Sequence, residues 1–217
     1  MNYNYNYLTK ISGESYLIFL TNLLGITAVI SSNDMIFTII NWELFNFSLY
    51  LIVSINSYSE SSLSNALKYF ILSAFSTAFF ILGISIIYYF TGSTHYDAIM
   101  LNFSQDSNSF MDVACILILF TFLFKLSAAP FYHWAPDLYD GLNTNISIWM
   151  MIIPKITILS LLYLLKDILI IKSTSIFLFI SGIFSLIIGS LALTQQWNIK
   201  RFFAYSSISH IGFILLA

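Results

Sequence analysis

Val113-Ala114-Cys115-Ile116-Leu117-Ile118-Leu119-Phe120-Thr121-Phe122-Leu123-Phe124-Lys125-Leu126-Ser127-Ala128-Ala129-Pro130 is an apolar run with one ammonium group set in it. Extended to Trp134, it reaches the roughly 20 helical residues that a bilayer core requires. A lysine at the centre of such a helix costs about 2.5–3.5 kcal/mol; where one persists, it faces a polar cavity and marks a transport path. Pro130 follows Lys125 by little more than one turn, and Pro136 closes the segment after His133 and Trp134. A proline removes an amide donor and frees the carbonyl one turn earlier. Backbone left open at membrane depth is tolerated only where protein or water satisfies it. Secondary transporters build midplane ion sites in this way, from a discontinuous helix with an ionisable residue beside the break.

Working outward, the 217 residues are 59% hydrophobic and only 8% charged, far from the charged quarter of a soluble domain. The class is an integral membrane protein. A bilayer-length window places spans at 16–31, 35–54, 67–90, 113–134, 146–165, 173–193 and 202–217. Their character is continuously apolar rather than alternating, which predicts an all-α, polytopic protein of about seven membrane helices, one of them discontinuous, and excludes an outer-membrane barrel. The polar run from Thr91 to Asp112 reads as the one sizeable extramembrane loop, and residues 1–15 as an N-terminal extramembrane segment. The first apolar run has one nearby cation, Lys10, and no small-residue cleavage site before the next span, so it reads as a retained helix rather than a signal peptide. Lys10, Lys200 and Arg201 fall on one side of the membrane and Lys166 and Lys172 on the other, which favours an N-terminus on the side of insertion. The single cysteine, Cys115, excludes an internal disulfide and a cysteine-ligated zinc or iron-sulfur site.

Two further charges lie deep in apolar segments, Glu43 and Lys155. Pro154 immediately precedes Lys155, so a proline and a buried cation coincide a second time; Ser147, Thr157 and Ser160 supply hydroxyls able to hold water or freed carbonyls. Glu43 reads either as half of a structural ion pair or as a modulator of Lys125, because an opposite charge favours the protonated lysine. Lys68, at the start of the third span, reads as an interfacial cation that snorkels, with proton transfer as its second reading. His133 and His210 are candidate proton relays, though packing or hydrogen bonding is the more ordinary role for each. The aromatic residues read as lipid-facing surface and interface anchors. No phosphate loop, catalytic carboxylate pair or nucleophile motif appears, and nothing points to nucleic acid.

The stretch from Lys125 to Gly141, with Phe124-Lys125, Pro130-Phe131, Trp134, Pro136-Asp137 and Tyr139-Asp140-Gly141, resembles the lysine-bearing broken helix of the antiporter-like membrane subunits of respiratory complex I. Pro154-Lys155-Ile156-Thr157-Ile158-Leu159, the segment from Trp42-Glu43-Leu44 to Ser48-Leu49-Tyr50, Ala66-Leu67-Lys68-Tyr69-Phe70, Asn198-Ile199-Lys200-Arg201 and Ala204-Tyr205-Ser206-Ser207-Ile208-Ser209-His210 extend the likeness. They resemble the chain 2 family of NADH-ubiquinone oxidoreductase, from about Tyr16 onwards.

That resemblance implies a proton-translocating membrane-arm subunit in which Lys125 is the protonatable site, Glu43 its modulator and Lys155 the connecting lysine. It implies no redox centre in this chain, with NADH, FMN, iron-sulfur clusters and ubiquinone held by partner subunits. The location implied is the mitochondrial inner membrane with the N-terminus on the matrix side. The implied partners are the other membrane-arm subunits and the lipid bilayer, including cardiolipin. A standalone sodium or proton antiporter and a non-pumping structural remnant are the alternative readings. Two departures stand out: Tyr132 occupies the place after Pro-Phe where the family commonly has histidine, and Leu142-Asn143-Thr144-Asn145 lacks the usual proline. The family fold is built from two inverted five-helix repeats. Residues 16–165 correspond to one complete repeat and 166–217 to the first two helices of a second, an antiporter-like inverted-repeat fold whose second repeat is incomplete. The expectation is that a second polypeptide completes it.

Overall fold

The computed structural model describes residues 13–55, 60–103, 109–169 and 172–217, and the apolar runs within them are helical. In chain order the helices are α1 (Gly13–Ile30), α2 (Met35–Ile55), α3 (Glu60–Thr91), α4 (Tyr96–Phe103), α5 (Ser109–Leu126), α6 (Trp134–Gly141), α7 (Thr144–Leu164), α8 (Lys166–Leu169), α9 (Lys172–Leu193) and α10 (Ile199–Leu216). Among the described residues, α1, α2, α3, α7 and α9 are uninterrupted helices long and apolar enough to cross a membrane. Of the seven expected spans, the fourth is instead the broken pair α5 and α6, and the seventh is α10, an 18-residue helix that carries Lys200, Arg201 and His210 and is not among those five. Of the expected N-terminal segment, residues 1–12, with Lys10, lie outside the described residues, and Gly13 already opens α1.

Two boundaries differ from the sequence reading. The fourth span does not run through to Trp134: α5 stops at Leu126, one residue past Lys125, and the chain restarts as α6. Ser127 leaves the helical region with a positive φ of 57°, and Pro130 has no amide hydrogen to offer Leu126 O, so the ladder ends ahead of Pro130. The expected loop from Thr91 to Asp112 contains a helix of its own, α4, with Tyr96 and Ile99 buried. It packs against α3 and α8.

One end of the bundle is tied by paired turns. Met35 N–H donates to Thr94 O at 2.9 Å and Tyr96 N–H to Asn33 O at 3.3 Å, and the Tyr96 hydroxyl meets Thr38, which also meets Ser32 at 2.9 Å. Asp34 Oδ1 accepts from Ile36 N–H at 2.8 Å, and Oδ2 from Thr94 Oγ1 at 2.8 Å. Partial burial pushes the Asp34 carboxyl up. The Thr94 hydrogen bond, the Ile36 amide, the His95 charge and the Phe37 amide together outweigh that burial and hold it below the usual carboxylate range. At the opposite end, Arg201 of α10 reaches α6, with Nε 3.0 Å from Asp140 Oδ2 and a terminal nitrogen 3.4 Å from Asp137 Oδ1. Lys200 Nζ donates to Leu142 O, where carbonyls are left open at the end of α6.

Lipid tails are as apolar as leucine, so helices in a bilayer associate through close packing and hydrogen bonds rather than hydrophobic expulsion. The α9–α10 contact is made of small residues: a Cβ on Gly189 would sit 2.8 Å from Ser209 N, and one on Gly212 would sit 2.9 Å from Gly182 O. Asn22 joins three helices, donating to Ser48 Oγ at 2.7 Å on α2 and accepting from Trp149 Nε1 at 3.1 Å on α7. Thr121 of α5 donates to Ser76 O of α3 at 2.9 Å. At the centre, the Trp42 ring packs at a tilt against those of Phe80 and Phe122.

Candidate functional site: a cradled lysine at a helix break

The break after Leu126 is closed by side chain and backbone together. Ser127 N–H bonds Phe124 O at 3.0 Å, and Ala128 N–H reaches back to Leu123 O at 3.0 Å. Trp134, the first residue of α6, donates its indole N–H to the same Phe124 carbonyl at 3.0 Å. The half-helix is thereby pinned beside the last turn of α5, and Lys125 projects from that turn.

Lys125 is only 2% exposed. Its Nζ donates to Asn46 Oδ1 of α2 at 2.8 Å and to Ser73 Oγ of α3. The rings of Tyr50 and Tyr69 each stand 5.6 Å from the ammonium, within cation–π range. Ser73 Oγ is shared, because the Tyr50 hydroxyl lies 2.7 Å away. A buried charge needs its donors satisfied, and here two neutral acceptors and two aromatic faces do so.

Glu43 is not among them. Among the described residues the ion pairs are those of Asp34, Asp137 and Asp140, so Glu43 and Lys125 make no direct contact. Glu43 is half-buried one turn before Asn46 on α2 and faces Thr77, one turn after Ser73 on α3, whose hydroxyl donates to Ala74 O at 2.9 Å; the Glu43 carboxylate is near enough to Lys125 for the two charges to interact. The two helices therefore hold Lys125 between Asn46 and Ser73, with Glu43 one turn away along α2 and Thr77 one turn away along α3. Asn46 Nδ2 and Trp42 Nε1, both fully buried, have no acceptor among the described residues.

Lys155 lies inside α7 directly after Pro154 and is 7% exposed. Its Nζ donates to Ser207 Oγ of α10 at 2.7 Å. Pro154 cannot donate to Met150 O, and the Tyr139 hydroxyl of α6 stands 3.5 Å from that carbonyl. Ser147 bonds Tyr139 O at 2.9 Å, whereas Thr157 and Ser160 bond carbonyls of their own helix.

Lys68, His133 and His210 occupy exposed positions outside this cluster. For Lys68 the reason is its face of α3: it shares the side that exposes Ile71, Leu72 and Phe75, away from the buried Ala66, Tyr69 and Ser73. The helix itself starts at Glu60 rather than Leu67. The cradle residues Asn46, Ser73, Tyr50 and Tyr69 were missed by sequence reasoning. The available signal was the helical spacing of Glu43, Asn46 and Tyr50 on one face. No three His, Cys, Asp or Glu side chains gather into a metal site among the described residues.

The family model described as NADH:quinone oxidoreductase/Mrp antiporter, transmembrane, matches residues 32–217. The chain is 39% identical over 212 residues to NADH-ubiquinone oxidoreductase chain 2 of Rhizopus oryzae, covering 96% of this chain and 40% of that protein. It is 38% identical over 208 residues to NADH-quinone oxidoreductase subunit N of Pelagibacter ubique, covering 93% and 43%. A chain of respiratory complex I from Thermus thermophilus superposes with a TM-score of 0.82 at 28% identity, over 97% of this chain and 46% of that one. The chain thus spans less than half the length of these relatives.

Proposed function

Because the chain belongs to the NADH:quinone oxidoreductase/Mrp antiporter transmembrane family, we propose that it serves as a proton-conducting membrane-arm subunit of NADH:ubiquinone oxidoreductase, respiratory complex I. The observation that carries this reading is the Lys125 ammonium, buried at a helix break and held by neutral partners with Glu43 one turn away. A lysine so placed gains or loses its proton in response to nearby charge and hydration, which is what a proton-loading site requires. Lys155, buried on the neighbouring α7 and facing α10, is the next station. Lys68, His133 and His210 are secondary candidates.

The location that follows is the mitochondrial inner membrane, with the N-terminus toward the matrix. NADH oxidation and ubiquinone reduction then occur in partner subunits, and the coupling to this chain is electrostatic and conformational. Residues 16–165 form one repeat and 166–217 open the second. Further polypeptide that completes the second repeat would pack along α9 and α10.

Replacing Lys125 by methionine in the assembled complex tests the reading. NADH-driven proton uptake per NADH oxidised falls in membrane vesicles while the amount of assembled complex is unchanged. An unaltered proton-to-electron ratio would favour a bracing role without pumping.

A further inference from the structure

The Lys125 ammonium rests on a neutral amide although a carboxylate lies one turn away. In a low-dielectric interior an ammonium and a carboxylate in contact attract strongly, and a pair once formed resists separation. Something in the site keeps them apart. Lys125 is occupied by Asn46 and Ser73. Of these, Asn46 alone has a group for each side. Its Oδ1 takes the ammonium at 2.8 Å. Its Nδ2 is a fully buried donor without an acceptor among the described residues, on the α2 face that carries Glu43 one turn earlier.

We infer that Asn46 is a positioning residue that holds the Lys125 ammonium on a neutral acceptor, off Glu43, and offers its free amide N–H₂ to the carboxylate. This rests on the proton-conduction reading above. Lys125 then stays releasable: when its proton leaves, Asn46 Oδ1 loses only a neutral-acceptor bond and no buried ion pair has to be broken. The titratable groups facing Lys125 are Glu43 and Tyr50 from α2 and Tyr69 from α3. The neighbouring α7 contributes Lys155, whose ammonium is engaged by Ser207, and α8 contributes Lys166, which stands over the Tyr163 ring.

The test compares Asn46→Asp, Asn46→Ser and Lys125→Met in the assembled complex, reading proton uptake per NADH oxidised against pH together with the amount assembled. Asn46→Asp keeps the shape and supplies a charged acceptor. It is expected to reduce uptake at neutral pH and to move the optimum upward by about one to three pH units, as an adjacent opposite charge does. Asn46→Ser keeps a neutral acceptor and is expected to leave the optimum where it is. An Asn46→Asp profile that does not move overturns the inference, as does an equal displacement in both variants. If Asn46→Asp fails to assemble, a displaced optimum in Asn46→Ser overturns it and an undisplaced one supports it. Lys125→Met separates the two readings: unaltered uptake there removes proton conduction itself, whereas lost uptake there with an unmoved Asn46→Asp profile removes only the role of Asn46.

Discussion

Trp134 donates its indole N–H to the carbonyl oxygen of Phe124 at 3.0 Å, across the gap between α5 and α6. The bond lies one residue before Lys125. It ties the half-helix to the turn that presents the lysine, and α6 is in turn tied to α10 through Arg201, Asp137 and Asp140.

Replacing Trp134 by phenylalanine keeps a ring against Phe124, now stacked at 5.6 Å, and removes the donor. The expected loss is about 0.5–1.5 kcal/mol, the net value of one hydrogen bond. It is read as faster amide hydrogen exchange at Ser127 and Ala128, with exchange near Asn22 unchanged. Unchanged exchange at the break would show that the backbone bonds alone hold it.

Gly189 and Ser209 are packed backbone to backbone, and a Cβ on Gly189 would lie 2.8 Å from Ser209 N. Gly189→Leu is therefore expected to separate α9 from α10 at a cost of about 1–3 kcal/mol, the usual range for overpacking. The measurement is the amount of chain in the assembled complex on a native gel. Gly13→Leu, at a position with no atom within 4 Å of its Cβ site, serves as the control and should assemble normally.

The Asp34 carboxylate joins the turn before α2 to the turn before α4. Its proton affinity is lowered on folding, so the unfolded chain binds a proton more readily, and the stabilisation is present above the ordinary carboxylate range. It is lost as pH falls through and below about 4. Protection of the Ile36 and Tyr96 amides, taken as exchange relative to the intrinsic rate at each pH, should fall on acidification toward pH 3, and Asp34→Asn should show the lower protection already at neutral pH. Because His95 is largely exposed, 75%, its contribution is weak and screened by salt.

Much of the architecture is local and therefore legible in the chain. Apolar run lengths mark the crossings, and the spacing of Lys125 to Pro130 marks a break beside a cation. The Pro154-Lys155 pair marks the second buried lysine. The end of α5 comes before the position that Pro130 marks in the sequence, because Ser127 takes a positive φ and leaves the helix three residues ahead of the proline. Residues 91–112 read as a polar loop because α4 is short, and its buried residues Tyr96 and Ile99 sit among polar ones.

The sequence by itself determined that this chain is a helical membrane protein, that one crossing is broken, and that Glu43, Lys125 and Lys155 are charges set deep in apolar segments. These follow from hydropathy, proline geometry and the cost of charge in lipid, all properties of short segments. Only the tertiary structure decided which groups hold those charges. Asn46 lies 79 residues from Lys125 and Ser73 lies 52 away, so their meeting depends on the rotation and axial register of three separate helices. A shift of one turn would have placed Glu43 where Asn46 now stands. That register is set by contacts such as Asn22 to Ser48 and Thr121 to Ser76, which no local spacing encodes.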